Sequence, residues 1–125
     1  DIIVEFAPLN PATTGVVTEK LLRLIRPGGV FVNTARAAIT DETALLRVAT
    51  EGRIAVGLDV FVQEPLPPDS PWRGLRNASL TPHIAGPTVD RYPDAGAFAL
   101  KNLRAYAEGR PLEAVVTPAI YDQST

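Results

Sequence analysis

At 125 residues, with 46% hydrophobic and 21% charged residues, the chain has the size and balance of one ordinary globular domain. A formal net charge of −2 from scattered charges offers no basic patch for nucleic acid, and no apolar run approaches the roughly 20 residues that cross a bilayer. Zero cysteines exclude a disulfide framework and a thiolate metal site; no metal site is expected, no secretory leader is visible, and a cytoplasmic protein is expected.

Residues 1–6, DIIVEF, read as a short strand rich in β-branched side chains, after which Pro8, Asn10 and Pro11 punctuate a loop. Thr18 suits the N-cap of a helix through Leu21, Leu22, Leu24 and Ile25, stopped by Pro27-Gly28-Gly29. Val30-Phe31-Val32 is apolar throughout, as a strand is when both faces of a parallel sheet are covered. Thr40 or Asp41 caps a further helix carrying Leu45, Leu46, Val48 and Ala49 and ending near Gly52. Ile54 to Asp59 is a third buried strand, residues 62–79 form a long Pro-rich loop, and a short strand follows near Ser79-Leu80-Thr81. A last helix runs from about Val89 to Glu108, with Gly109 and Pro111 as its stop, and the tail beyond it shows no periodicity. Strands alternating with helices predict an α/β fold built on a parallel sheet.

In open α/β sheets, ligands bind beyond the carboxyl ends of the strands. The residues there are Pro8, then Asn33-Thr34-Ala35-Arg36, then Asp59 with Glu64 beyond it, then His83. His83 is the only histidine, and so the only side chain whose ordinary pKa, about 6.5, lies near neutrality. Its bland alternative is a histidine hydrogen-bonded in a loop; its place after a strand, before Gly86, favours proton transfer. Arg36 stands among Ala35, Ala37 and Ala38, which leave room for a guanidinium to grip a carboxylate, although a surface arginine would look the same. Glu64, between Gln63 and Pro65, reads by itself as a solvated loop carboxylate, and Asp59, closing an apolar strand, needs a buried partner or a ligand.

Together these residues are more specific. Pro8-Leu9-Asn10-Pro11-x-Thr13-x-Gly15, Arg26-Pro27-Gly28-Gly29, Asn33-Thr34-Ala35-Arg36, Leu58-Asp59-Val60-Phe61-x-x-Glu64-Pro65-Leu66-Pro67 and Leu80-Thr81-Pro82-His83-Ile84-x-Gly86 keep an order and spacing that resembles the D-isomer-specific 2-hydroxyacid dehydrogenase family. The resemblance covers nearly the whole chain but only the later part of the family's length. It implies a Rossmann-like parallel sheet with flanking helices, present as the second half of a nucleotide-binding domain over 1–88, with 89–125 a connecting helix and tail towards a mostly absent substrate domain. It implies hydride transfer between NAD or NADP and C2 of a small D-2-hydroxy or 2-keto acid, in a protein that is a homodimer when complete.

By position, the resemblance makes Arg36, Glu64 and His83 catalytic. Arg36 would hold the substrate's carboxylate and carbonyl oxygen and His83 would be the general acid–base. Glu64 would pair with His83, because a nearby negative charge favours imidazolium. On the cofactor side, Asp59 would meet the nicotinamide carboxamide, Thr34, Ala35, Arg36, His83, Ile84 and Gly86 would line the ring, and Pro8 would lie beside the adenosine half.

The sequence departs from the family's pattern at Phe6, where a histidine is usual, at Ala37, where glycine is common, and at Pro87. Glu64 argues against the formate dehydrogenase branch, where glutamine partners the histidine. No G-x-G-x-x-G occurs, and the residue that chooses NAD or NADP is absent with it. With no methionine and an apolar opening at Ile2-Ile3-Val4, the chain is expected to be a C-terminal fragment, inactive alone, whose first strand has an exposed edge. Two other readings fit the same residues: a nucleotide-sensing protein similar to the C-terminal-binding transcriptional corepressors, and a non-catalytic half-fold assembled by self-pairing.

Overall fold

A computed structural model describes residues 1–124. Among them, β1 (Ile2–Glu5), β2 (Val30–Asn33), β3 (Ala55–Leu58) and β4 (Ala78–Leu80) pair in parallel in the order β1-β2-β3-β4. The register sets Glu5 beside Asn33, Asn33 beside Leu58, and Leu58 beside Leu80. The carboxyl ends therefore finish level, and the loops carrying Arg36, Glu64 and His83 all leave from one edge of the sheet.

The chain folds this way because each connection ends on a residue that enforces the turn. The first helix, α1 (Glu19–Leu22), is shorter than the leucine spacing suggests. Thr18 occupies its N-cap position without a side-chain cap bond. Beyond Leu22 the backbone tightens into i→i−3 bonds, Leu24 N to Leu21 O at 3.0 Å and Ile25 N to Leu22 O at 3.2 Å. Pro27 enforces this, since the residue before a proline is pushed out of helical geometry. Gly28 follows at φ 81°, a backbone conformation that strains any side chain, and a Cβ on Gly29 would stand 2.6 Å from Ile25 Cγ2, so that position accepts no larger residue without movement.

The second helix, α2 (Glu42–Thr50), is capped by Asp41, which accepts from Ala44 N at 2.9 Å. Ala44, Leu45, Val48 and Ala49 make its buried face, and with Leu22, Ile25, Phe31, Val56 and Leu58 they form the core. The long predicted loop between β3 and β4 contains a short 3₁₀ turn, Pro71–Gly74, which drives Trp72 into that core with 2% exposure.

Two expectations near the C-terminus need correction. The last helix, α3 (Tyr92–Ala107), starts at Tyr92, and Val89–Arg91 is a separate 3₁₀ turn. Pro93 explains the late start: proline is tolerated only in a helix's first turn. The tail also contains a short helix, α4 (Pro118–Tyr121), where none was expected; Thr117 caps it by accepting from Ile120 N at 3.3 Å, with Pro118 in its first turn. Lys101 Nζ meets Glu113 at 2.5 Å and Asn102 Oδ1 accepts from Glu113 N at 2.8 Å, so the tail folds back along α3.

The expected exposed strand is found. β1 lies at one edge of the sheet, and Ile2, Ile3, Val4 and Phe6 are exposed. Among the described residues no helix is long and apolar enough to cross a membrane.

Candidate active site

Asn33, 2% exposed at the end of β2, shapes the first loop. Its Nδ2 donates to Arg36 O at 3.1 Å and its Oδ1 accepts from Ala35 N at 3.0 Å. This closes Thr34–Arg36 into a tight turn over the sheet edge. The half-buried Arg36 donates from Nη1 to Ala35 O at 2.8 Å, and among the described residues no carboxylate pairs with it.

Asp59, 1% exposed just beyond β3, organises the second loop. Oδ1 accepts from Thr81 Oγ1 at 2.5 Å and Ile84 N at 2.9 Å, and Oδ2 accepts from Ala85 N at 2.8 Å. Burial opposes ionisation here, but these hydrogen bonds and the nearby His83 outweigh it and hold the carboxyl below the usual range. Asp59 thus grips both sides of His83, whose own backbone sits at φ 55°, in the left-handed region that non-glycine residues rarely adopt.

The imidazole that this turn presents meets Glu64: His83 Nδ1 lies 2.7 Å from Oε2, while Oε1 accepts from Phe61 N at 2.8 Å. The hydrogen bond to His83, and then the Phe61 N–H, keep Glu64 below the ordinary carboxylate range. An ionised carboxylate can only accept, so Nδ1 carries the hydrogen and Nε2 is the nitrogen left to exchange a proton.

Arg36, Glu64 and His83 line one cleft of about 430 Å³, with Leu9, Ala38 and Val60 among its apolar walls. A guanidinium, an imidazole and the carboxylate bonded to it therefore share a space large enough for a small acid. The same pair borders a second cavity of about 610 Å³, walled by Pro65, Leu66 and Leu80 and edged by Arg73. A groove of about 500 Å³ beside β1 contains none of the three.

The other predicted positions lie around this cleft rather than in it. Pro8 is exposed, its carbonyl accepting from Thr13 Oγ1 at 2.6 Å. Thr34 and Ala35 are half-buried in the Asn33 turn. Ile84 is 62% exposed, and a Cβ on Gly86 would meet no atom within 4 Å. Asp59 directs both carboxylate oxygens at its own chain. Sequence reasoning placed Asn33 at the strand ends without giving it a role, and gave none to Thr81. Each is a polar side chain at the end of a strand, the same position that singled out Asp59.

The model for the D-isomer specific 2-hydroxyacid dehydrogenase NAD binding domain matches residues 1–85. Over 114 residues, 90% of the chain, it is 39% identical to a glyoxylate/hydroxypyruvate reductase B of Pectobacterium atrosepticum. Over 113 residues it is 34% identical to a formate dehydrogenase of Pseudomonas sp. (strain 101). A crystal structure of a D-isomer specific 2-hydroxyacid dehydrogenase from Xanthobacter autotrophicus Py2, in complex with NADPH and MES, superposes on 94% of the chain with a TM-score of 0.81 and 35% identity. The chain spans 36% and 28% of the length of those two relatives and 48% of that solved chain.

Proposed function

The chain belongs to the D-isomer specific 2-hydroxyacid dehydrogenases, in their NAD binding domain, and from that premise we propose that it carries the acid–base half of a site reducing small 2-keto acids to D-2-hydroxy acids. The observation that carries the reading is the cleft in which Arg36, Glu64 and His83 meet.

Arg36 stands among small neighbours with no carboxylate paired to it among the described residues, and its fork of donors matches a substrate carboxylate. That anchor leaves the 2-carbonyl facing the imidazole. His83 Nε2 gives its proton to the carbonyl oxygen during reduction and takes the hydroxyl proton in reverse, while Glu64 at Nδ1 stabilises the imidazolium. Asp59 keeps the ring in place through the turn that follows it.

The residues fit a nicotinamide cofactor at its reactive end. A Cβ on Gly86 would meet no atom within 4 Å, which leaves that position open to a flat ring; on the family pattern Thr34 and Ala35 would line the ring and Pro8 would lie towards the adenosine half. The chain holds no G-x-G-x-x-G to cradle the pyrophosphate, so these residues support the ring and not the phosphates. When bound, NAD or NADP supplies or accepts the hydride at C2.

The test is steady-state turnover of glyoxylate and hydroxypyruvate, with NADH and NADPH, by the protein that carries this sequence and by its His83→Ala variant. The reading expects keto-acid-dependent oxidation of the cofactor and a loss of roughly 10³-fold in kcat in the variant, with cofactor affinity retained. A variant that turns over at the parent rate would overturn the role given to His83, and a parent inert on every 2-keto acid would overturn the reaction.

A further inference from the structure

We propose that Glu42 is a positioning residue for the Glu64–His83 pair, clamping the loop between β3 and β4 at two points. The proposal rests on the reading of that pair as acid–base machinery.

Glu42 opens α2, directly after the capping Asp41. Four buried residues of α2 fix the helix in the core, so Glu42 projects from a rigid base. Its Oε2 accepts from Val62 N at 3.0 Å and its Oε1 accepts from Trp72 Nε1 at 2.9 Å. The two donors bracket residues 63–71, and Glu64 stands inside that bracket. The indole N–H and the backbone N–H are donors only, so a carboxylate can serve both at once where an amide cannot.

From this clamp the path to the imidazole is short. Val62 follows Phe61, whose N–H holds one oxygen of Glu64, and the other oxygen meets His83. The Glu64 and His83 side chains are 35% and 45% exposed, so hydrogen bonds set their positions more than packing does. Arg73 adds bonds to Leu66 O at 2.6 Å and Pro67 O at 2.8 Å, but these close the loop on itself. Glu42 ties the loop to the scaffold. A misplacement of about 1 Å in an acid–base group is enough to cost roughly 10²-fold in rate.

The experiment reads the clamp and the catalysis separately. In the 125-residue chain, the carboxyl carbon of Glu64 is titrated by ¹³C NMR in the parent and in Glu42→Ala, Glu42→Gln and Trp72→Phe. Release of the loop is expected to move the Glu64 midpoint upward, most in Glu42→Ala, less in Glu42→Gln and least in Trp72→Phe. In the protein assayed for turnover, Glu42→Ala is expected to lose roughly 10- to 100-fold in kcat, with the cofactor KM within about twofold of the parent. If Glu42→Ala does not fold, the other two variants carry the test. Parent-like Glu64 titration in every folded variant overturns the proposal, as does a loss of thermal stability with kcat unchanged. Failure of the functional reading would appear elsewhere, as an unchanged rate in His83→Ala.

Discussion

His83 Nδ1 and Glu64 Oε2 stand 2.7 Å apart, and this contact fixes which imidazole nitrogen can do chemistry. Glu64 is held below the ordinary carboxylate range by the bond to His83 and by the Phe61 N–H, so it stays an ionised acceptor to lower pH than an ordinary carboxylate does. Glu64→Gln removes the charge that favours imidazolium and places donors where an acceptor stood. Keto-acid reduction should lose roughly tenfold at the parent's optimum, and the alkaline limb of its pH profile should move to lower pH. kcat/KM measured between about pH 5 and 9 checks this; superimposable profiles would separate Glu64 from proton transfer.

Arg36 makes a different demand, for shape as well as charge. Asn33 holds its turn through Arg36 O and Ala35 N, and among the described residues the guanidinium bonds only to Ala35 O. Arg36→Lys preserves the charge and loses the two-pronged grip on a carboxylate. The keto-acid kcat/KM should fall by roughly 10²-fold, about 3 kcal/mol, chiefly through KM. A fall confined to kcat, with KM intact, would place the arginine elsewhere in the cycle.

Asp59 is a stability prediction as much as a catalytic one. Its two oxygens face Thr81 Oγ1 and the N–H groups of Ile84 and Ala85. Asp59→Asn turns an amide NH₂ against a backbone donor, and should cost about 2–4 kcal/mol at neutral pH. Because the folded carboxyl lies below its ordinary range, its contribution is complete above the unfolded value, about 3.9, and is lost as pH falls through the folded value. The difference in Tm between parent and variant should therefore shrink in acid. A difference independent of pH would mean that the turn does not depend on the charge.

The strands and the order of the site residues were legible in the sequence because apolar runs and their polar end residues are local signals. Val30-Phe31-Val32 and Ile54–Asp59 announce strands by composition, and Asp59 announces a buried partner by closing one of them. Geometry that depends on a distant residue was not legible. Glu64 reads as a solvated loop carboxylate until Phe61 and His83 are seen on its two oxygens. The 3₁₀ turn that buries Trp72 sits in a stretch whose prolines signal only a loop, and its indole finds Glu42 thirty residues away. α1 stopped short because Pro27 outweighed a leucine spacing that continues to Ile25.

Glu5 tests the sheet itself. It ends β1 opposite Asn33, is 8% exposed, accepts from Ala7 N at 2.5 Å through Oε1, and keeps Oε2 buried without a partner among the described residues. Burial raises its pKa, and the Ala7 N–H only partly offsets this. A carboxyl raised on folding favours the protonated form, so its contribution is fullest below the unfolded value, about 4.3, and is lost as pH rises through the folded value. Glu5→Gln keeps an acceptor for Ala7 and removes the charge. The variant should be more stable than the parent by on the order of 1 kcal/mol at neutral pH, and the gain should vanish in acid. Thermal melts of the 125-residue chain across that range decide it. A variant less stable than the parent at neutral pH would mean that the Glu5 carboxylate is solvated or paired in solution, and that the end of β1 is more open than its burial indicates.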